Sequence, residues 1–201
     1  MKSAPPASVL VYDVGGSHAS AAVAVGSGCR VRNVVTALHP AEQSSAVFID
    51  FLHRLGVEAS DGVTDVAGAE LAVPGPFDFS AGVSLMQHKL PYLYRVNLRE
   101  QMAERFGWQT GQVRFVHDAA AFLLGEIGAG AARGVGRAVG ITLGTGIGSA
   151  FSVDSRLVGT GFGVAPGGEI WNLPFGDGIV EDTFSSRGIQ RGYRERGGPL
   201  A

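Results

Sequence analysis

Apolar residues fall in short runs broken by glycine, and the period of the runs changes along the chain. Val9 to Tyr12 is a brief apolar run ending at Asp13 and the Gly15-Gly16 pair. Ala19 to Val25 resumes with small and β-branched residues, so the two runs read as a hairpin. Val31 to Ala37 supplies a third strand. From Ala41 to Leu55 the apolar positions Val47, Ile49, Phe51, Leu52 and Leu55 follow a helical spacing, and Gly56 is expected to stop that helix. Gly68 to Val73 reads as a fourth strand broken by Pro74-Gly75-Pro76, and Val96 to Phe106 as an amphipathic helix ended by Gly107. Val113 to Val116 makes a fifth strand, and Ala119 to Ile127 the helix after it.

A second round then begins. Val139 to Leu143, Ser149 to Val153 and Leu157-Val158 read as strands separated by the turns GTGIG and DSR, repeating the three-strand opening. Three strands in meander followed by alternating helix and strand is the order of a ribonuclease-H-type lobe. The Gly-rich stretch Gly128 to Gly136 is the expected joint, giving lobes 1–127 and 128–201. After Phe162 comes a Gly- and Pro-rich loop to Gly178, then one helix from about Ile179 to Arg194. On this reading the second lobe is incomplete.

Composition narrows the picture. With 45% hydrophobic and 17% charged residues, the chain is neither a disordered tail nor an extended coiled coil. Its 31 glycines in 201 residues are about twice the usual share, which points to tight turns and to backbone approaching a ligand closely. A net charge of −2 leaves no electrostatic footprint for nucleic acid or an anionic membrane. No apolar run approaches the roughly 20 residues that span a bilayer. The single cysteine, Cys29, can form neither an internal disulfide nor a thiolate zinc cage, and the opening residues lack a signal-peptide pattern, so a cytoplasmic setting is expected.

Three segments carry candidate chemistry. In Asp13-Val14-Gly15-Gly16-Ser17 the glycines let backbone N–H groups approach phosphate oxygens, Ser17 adds a hydroxyl, and Asp13 suits a Mg²⁺ shell. An ordinary Gly-Gly hairpin turn has the same look. It is not a dinucleotide fingerprint, because the glycines lead into a strand and not a helix. Gly144, Thr145 and Gly146 form a second such turn at the matching place in the second round, and the pairing favours phosphate binding over two unrelated turns. His117-Asp118 ends a strand and starts a helix. Asp118 there is either a helix cap or the base that takes a proton from an attacking hydroxyl.

DVGGS at 13–17, AVPGPFD at 72–78, LPYLYRVNL at 90–98, HDAAAFLLGE at 117–126 and ITLGTGIGSAF at 141–151, followed by Gly167-Gly168-Glu169-Ile170, stand in the order and spacing of the ROK (repressor, ORF, kinase) family. The chain therefore resembles a glucokinase-like ROK sugar kinase. The resemblance implies an α/β, actin-like ATPase fold, with two ribonuclease-H-type lobes flanking a cleft and two phosphate loops facing each other across it. It implies that Asp118 is the catalytic base and that His117, Glu169, Asn172 and Glu181 line the sugar site. Asp13, Gly15, Gly16, Ser17, Gly144, Thr145 and Gly146 would hold phosphate, with Mg²⁺ and ATP as cofactor and donor. Sugar and nucleotide are then the expected partners, and the family's habit of dimerising makes a homodimer a further expectation.

Departures from the pattern shape these expectations. The family's structural zinc uses a His and a following cysteine cluster, but Asn172 stands at the His position and Leu173 to Ile179 contains no cysteine, so no zinc is expected. His117 occupies the place of a sugar-binding Asn, which bears on sugar preference. Three rival readings accompany the kinase: a sugar-binding protein without transfer activity, a kinase using polyphosphate as donor, and a repressor. The first strand begins near Val9, which leaves no room for a helix-turn-helix before it and weighs against the repressor.

Overall fold

The computed structural model describes residues 8–26 and 30–197, so Cys29 lies outside the described residues. Alternating apolar residues build the first strands. Ser8–Val14 (β1) and His18–Val25 (β2) pair antiparallel from Ser8 opposite Val25 to Val14 opposite Ala19, and Arg30–Leu38 (β3) pairs antiparallel with β2. The helix α1, Ser45–Ala59, starts at Ser44, whose side chain accepts a hydrogen bond from the Val47 amide. Val66–Val73 (β4) then lies parallel to β1.

Gly56 does not stop α1. A Cβ at this position would stand 1.8 Å from the Tyr12 hydroxyl oxygen and 2.9 Å from Phe106 Cζ. The glycine thus lets the helix sit tightly over β1, and the apolar face continues to buried Ala59. Ser60 ends the helix, with both its amide and its hydroxyl donating to the Gly56 carbonyl.

Two short strands follow, Phe77–Asp78 (β5) and Val83–Ser84 (β6), paired antiparallel. Leu98–Phe106 (α2) is capped by Asn97 and closed by Gly107 in the left-handed region at φ 67°, the conformation in which glycine costs least. Val113–His117 (β7) lies parallel to β4, which completes a five-stranded sheet in the order β3-β2-β1-β4-β7. Phe48, Ile49 and Leu52 of α1, Met102 of α2, and Leu10 and Leu71 of the sheet fill the core of this part. Each such fully buried side chain contributes about 1.5–3 kcal/mol of transfer free energy.

Asp118–Ala129 (α3) leads into a second set of elements. Arg137–Leu143 (β8), Ile147–Val153 (β9) and Arg156–Val158 (β10) form an antiparallel sheet in the order β10-β9-β8. Asp154 and Ser155 both take positive φ in the turn joining β9 to β10, the geometry that matches strand twist in a two-residue hairpin. Pro174–Phe175 (β11) and Gly178–Ile179 (β12) make a small hairpin. Two helices then stand where one was expected, Val180–Phe184 (α4) and Ser186–Glu195 (α5). The break is at Ser185, which is extended and accepts a hydrogen bond from the Gly188 amide. A Cβ on Gly188 would fall 2.3 Å from the Asp182 carbonyl oxygen, so glycine allows the turn between the helices.

By its contacts the chain divides into two compact units, Met1–Asp118 and Ala119–Ala201. α3 falls largely in the second unit because Leu123 packs against Gly140 of β8, where an added Cβ would meet the Leu123 Cβ at 3.0 Å. The expected boundary lay later, at residue 127. Among the described residues no helix is long and apolar enough to cross a membrane.

Candidate active site

In the first unit three parallel strands end side by side. Asp13 of β1 stands opposite Ala72 of β4, and Val73 of β4 stands opposite His117 of β7. The carboxyl ends of parallel strands are where open α/β sheets bind ligands, because loops and helix starts converge there. Asp118 follows His117 directly and opens α3, where the helix dipole favours a carboxylate.

His117 Nε2 lies 3.4 Å from Asp118 Oδ1, and both side chains are partly open to solvent. The imidazole is further bounded by the ring of Phe79, edge-on at a centroid distance of 6.1 Å, and by Gly75, where a Cβ would lie 3.8 Å from it. Arg99 fixes the loop that carries Phe79. Its guanidinium donates to the carbonyls of Phe79, Ser80 and Val113, tying the β5–β6 loop to the start of β7.

Burial raises the Asp13 carboxyl above its ordinary value, the charge of Asp118 adds to the rise, and His18 opposes it. The two carboxylates are therefore close enough to repel, a pairing that a cation or a shared proton relieves. The adjoining turn is closed by the Gly15 amide donating to the His18 carbonyl at 3.0 Å. Ser17 Oγ sits 3.3 Å from His18 Nδ1, and the Ser17 carbonyl accepts from the His39 amide.

In the second unit Gly144-Thr145-Gly146 joins β8 to β9, with Leu143 opposite Ile147. Gly144 and Thr145 are exposed. A Cβ on Gly144 would meet nothing within 4 Å, and its φ is not one that demands glycine, so nothing within the fold requires the residue to lack a side chain. Glu181 supports this turn, since its Oε2 accepts from the Ile147 amide at 3.1 Å, and the Ser186 amide donates to the Gly144 carbonyl at 2.8 Å. Glu169 Oε2 accepts from Trp171 Nε1 at 2.7 Å. Asn172 is exposed on the adjoining loop.

The structure thus joins His117 and Asp118 to Asp13, and Glu181 to the GTG turn. It gives Glu169 a local partner in Trp171. Two contributors were not anticipated. Buried Ser149 donates to the Gly168 carbonyl and accepts from the Ile170 amide, which pins the segment carrying Glu169 to β9. His39 packs edge-on against Phe48 and Phe51 beside the DVGGS turn, and its Nε2 is buried with no partner among the described residues. Ser149 was legible as a polar residue at an inward position of a strand, whereas no pattern singles out His39.

A model of the ROK family matches residues 9–170. The chain belongs to the ROK family. It is 29% identical over 200 residues to a glucokinase of Thermotoga maritima, covering 95% of this chain and 61% of that protein. The crystal structure of a ROK hexokinase from Thermus thermophilus superposes with a TM-score of 0.76 at 25% identity, over 96% of this chain and 65% of that one. A ROK glucokinase from Streptomyces griseus, crystallised with glucose and AMPPNP, gives the same TM-score at 24% identity, over 94% of this chain and 61% of that one. The fold is accordingly the α/β, actin-like ATPase fold of ROK sugar kinases. The chain spans a little under two thirds of the length of these relatives.

Proposed function

We propose that this ROK chain serves a phosphotransferase that moves a phosphoryl group from ATP to a hydroxyl of a hexose or hexose derivative. The observation that carries the reading is Asp118 at the carboxyl end of β7, beside His117 and close enough to Asp13 for their charges to interact. Asp118 is the base that accepts the proton of the attacking hydroxyl, an arrangement suited to phosphoryl transfer, where positioning and electrostatics do most of the work. His117 stands beside it as a hydrogen-bonding group for the same sugar. Glu181 and Glu169 each accept a hydrogen bond at one oxygen, and a carboxylate retains acceptor capacity at the other for sugar hydroxyls. Asn172 completes the proposed sugar-binding set.

Asp13, Gly15, Gly16 and Ser17 form one phosphate loop on this reading, and Gly144, Thr145 and Gly146 the other. The residues fit Mg²⁺ with ATP. Magnesium takes only one or two carboxylates together with phosphate oxygens and water, and Asp13 offers one, in a place where burial and then the charge of Asp118 disfavour its ionisation. When bound, Mg²⁺ neutralises charge on the phosphates. No zinc is proposed for this chain, because Asn172 replaces the histidine of the family's zinc site.

The test is transfer from ATP, and separately from polyphosphate, to a panel of hexoses and N-acetylhexosamines. Asp118→Asn is expected to lower transfer by about 10²–10⁴-fold while sugar affinity, read by calorimetry, changes only a few-fold, since the amide oxygen still accepts a hydrogen bond. Transfer that survives the substitution removes Asp118 as base. Sugar binding by the parent chain without consumption of either donor supports the binder reading instead.

A further inference from the structure

Of the chain's two tryptophans, one is packed away and the other is held open. Trp108 stacks on Phe106 at a centroid distance of 4.3 Å and packs against the first unit's core. Trp171, on the loop before β11, is 40% exposed and has no ring partner among the described residues. A single exposed apolar side chain is ordinary on a protein surface, so exposure by itself carries nothing. What sets Trp171 apart is how it is anchored.

The Ser149 hydroxyl ties the preceding segment to β9, donating to the Gly168 carbonyl at 2.8 Å and accepting from the Ile170 amide at 3.0 Å. The Trp171 carbonyl accepts from the Glu181 amide at 3.0 Å, and the Val180 amide donates to the Leu173 carbonyl, so the start of α4 is laced to the same loop. The indole N–H donates to Glu169 Oε2 at 2.7 Å. Trp171 therefore touches both half-buried carboxylates proposed for sugar hydroxyls, Glu169 through its ring nitrogen and Glu181 through its backbone. With that N–H satisfied, the exposed ring offers apolar surface and no free donor.

We infer that Trp171 is a sugar-binding residue, its ring a platform for the C–H face of a hexopyranose whose hydroxyls are bonded by Glu169 and Glu181. A pyranose is amphipathic in the way this requires. Its hydroxyls point outward around the ring, while the C–H groups on each face are apolar and weakly positive and suit the negative face of an aromatic ring. Sites for small ligands combine such apolar contacts with a few placed polar groups. The indole N–H also fixes the Glu169 carboxylate beside the ring, which leaves Oε1 to accept from a hydroxyl at the edge of the stacked sugar. The inference rests on the sugar-binding half of the proposed function and holds whether the donor is ATP or polyphosphate.

The probes are D-glucose, D-mannose and N-acetyl-D-glucosamine, titrated by calorimetry into the parent chain, Trp171→Phe and Trp171→Ala. Phenylalanine keeps a ring and loses the N–H, whereas alanine loses both. For the sugar that the parent binds best, Trp171→Ala should weaken binding by at least about tenfold and Trp171→Phe only a few-fold. Equal losses in the two variants would mean that Trp171 acts only by holding Glu169, and unchanged affinity in Trp171→Ala would remove it from the site. Either result overturns the inference and leaves the carboxylates as sugar ligands. A second measurement needs no change at residue 171. In Trp108→Phe the remaining fluorescence is that of Trp171, and saturating sugar should shift its emission to the blue and lower its quenching by acrylamide. Binding seen by calorimetry with Trp171 emission and quenching unchanged overturns the platform even where Trp171→Ala fails to fold. A parent chain that binds none of the three sugars overturns this inference and the sugar-kinase reading together.

Discussion

His39 shows how a residue without a motif shapes the pH response. Burial lowers its pKa, a hydrogen bond to the His18 backbone works the other way, and the charge of His18 lowers it again. The unfolded chain then binds the proton more readily than the folded one, so stability is complete above the ordinary histidine value of about 6.5 and is lost as pH falls through it. His39→Phe keeps the ring contacts with Phe48 and Phe51 and removes the titration. Thermal melts at pH 7.5 and 5.5 should differ less in this variant than in the parent, and an unchanged difference would assign the pH dependence elsewhere. Asp13 works with the opposite sign. Its carboxyl is raised by burial and by Asp118, so the folded state favours its protonated form, and the ionised form costs stability at neutral pH. Asp13→Asn should melt higher than the parent at pH 7, with the gain shrinking as pH falls towards the ordinary carboxylate value. A lower melting temperature at pH 7 would mean that Asp13 is stabilised by partners which the amide cannot replace.

At the scale of the element, Gly56 separates what propensity implies from what packing requires. In a helix interior Gly→Ala ordinarily gains up to about 1 kcal/mol. Here the new Cβ would meet the Tyr12 hydroxyl, itself buried without a partner, so Gly56→Ala should instead cost about 3 kcal/mol through overpacking. Tyr12→Phe alone removes an unsatisfied hydroxyl and should lie within about 1 kcal/mol of the parent. The double variant should recover more than about 1 kcal/mol relative to the sum of the two, read by urea titration. Strict additivity would mean that the helix shifts away from the strand. The same glycine marks where sequence reading stopped. The short apolar runs bounded by turn residues gave β1 to β4 and β7 to β10 to within a few residues, since a strand must bury apolar side chains against its neighbours. Gly56 and Ser185 were misread, because whether a glycine ends a helix or a serine divides one depends on what packs against it. His117 and Asp118 stood out through their place at a strand-to-helix junction. The hydrogen bond from Ile147 to Glu181 spans 34 positions and left no local trace.

For the whole molecule, the distribution of large buried side chains sets the order of unfolding. The first unit holds the clustered core of Phe48, Leu52, Leu71, Leu93 and Met102, whereas the buried apolar residues described in the second are Ala119, Leu123, Ile147 and Ala150. Stability follows buried apolar area, so the second unit should open at lower denaturant than the first. The chain carries its own reporters. Its two tryptophans fall one in each unit, Trp108 stacked on Phe106 at a centroid distance of 4.3 Å and Trp171 bonded to Glu169. In Trp171→Phe the remaining fluorescence follows the first unit, and in Trp108→Phe it follows the second. The urea midpoint read from Trp171 should lie below that read from Trp108, and amides of β8 to β10 should exchange faster than those of β1 and β4. Coincident midpoints with matching exchange rates would show one cooperative unit and would contradict an ordering by core size.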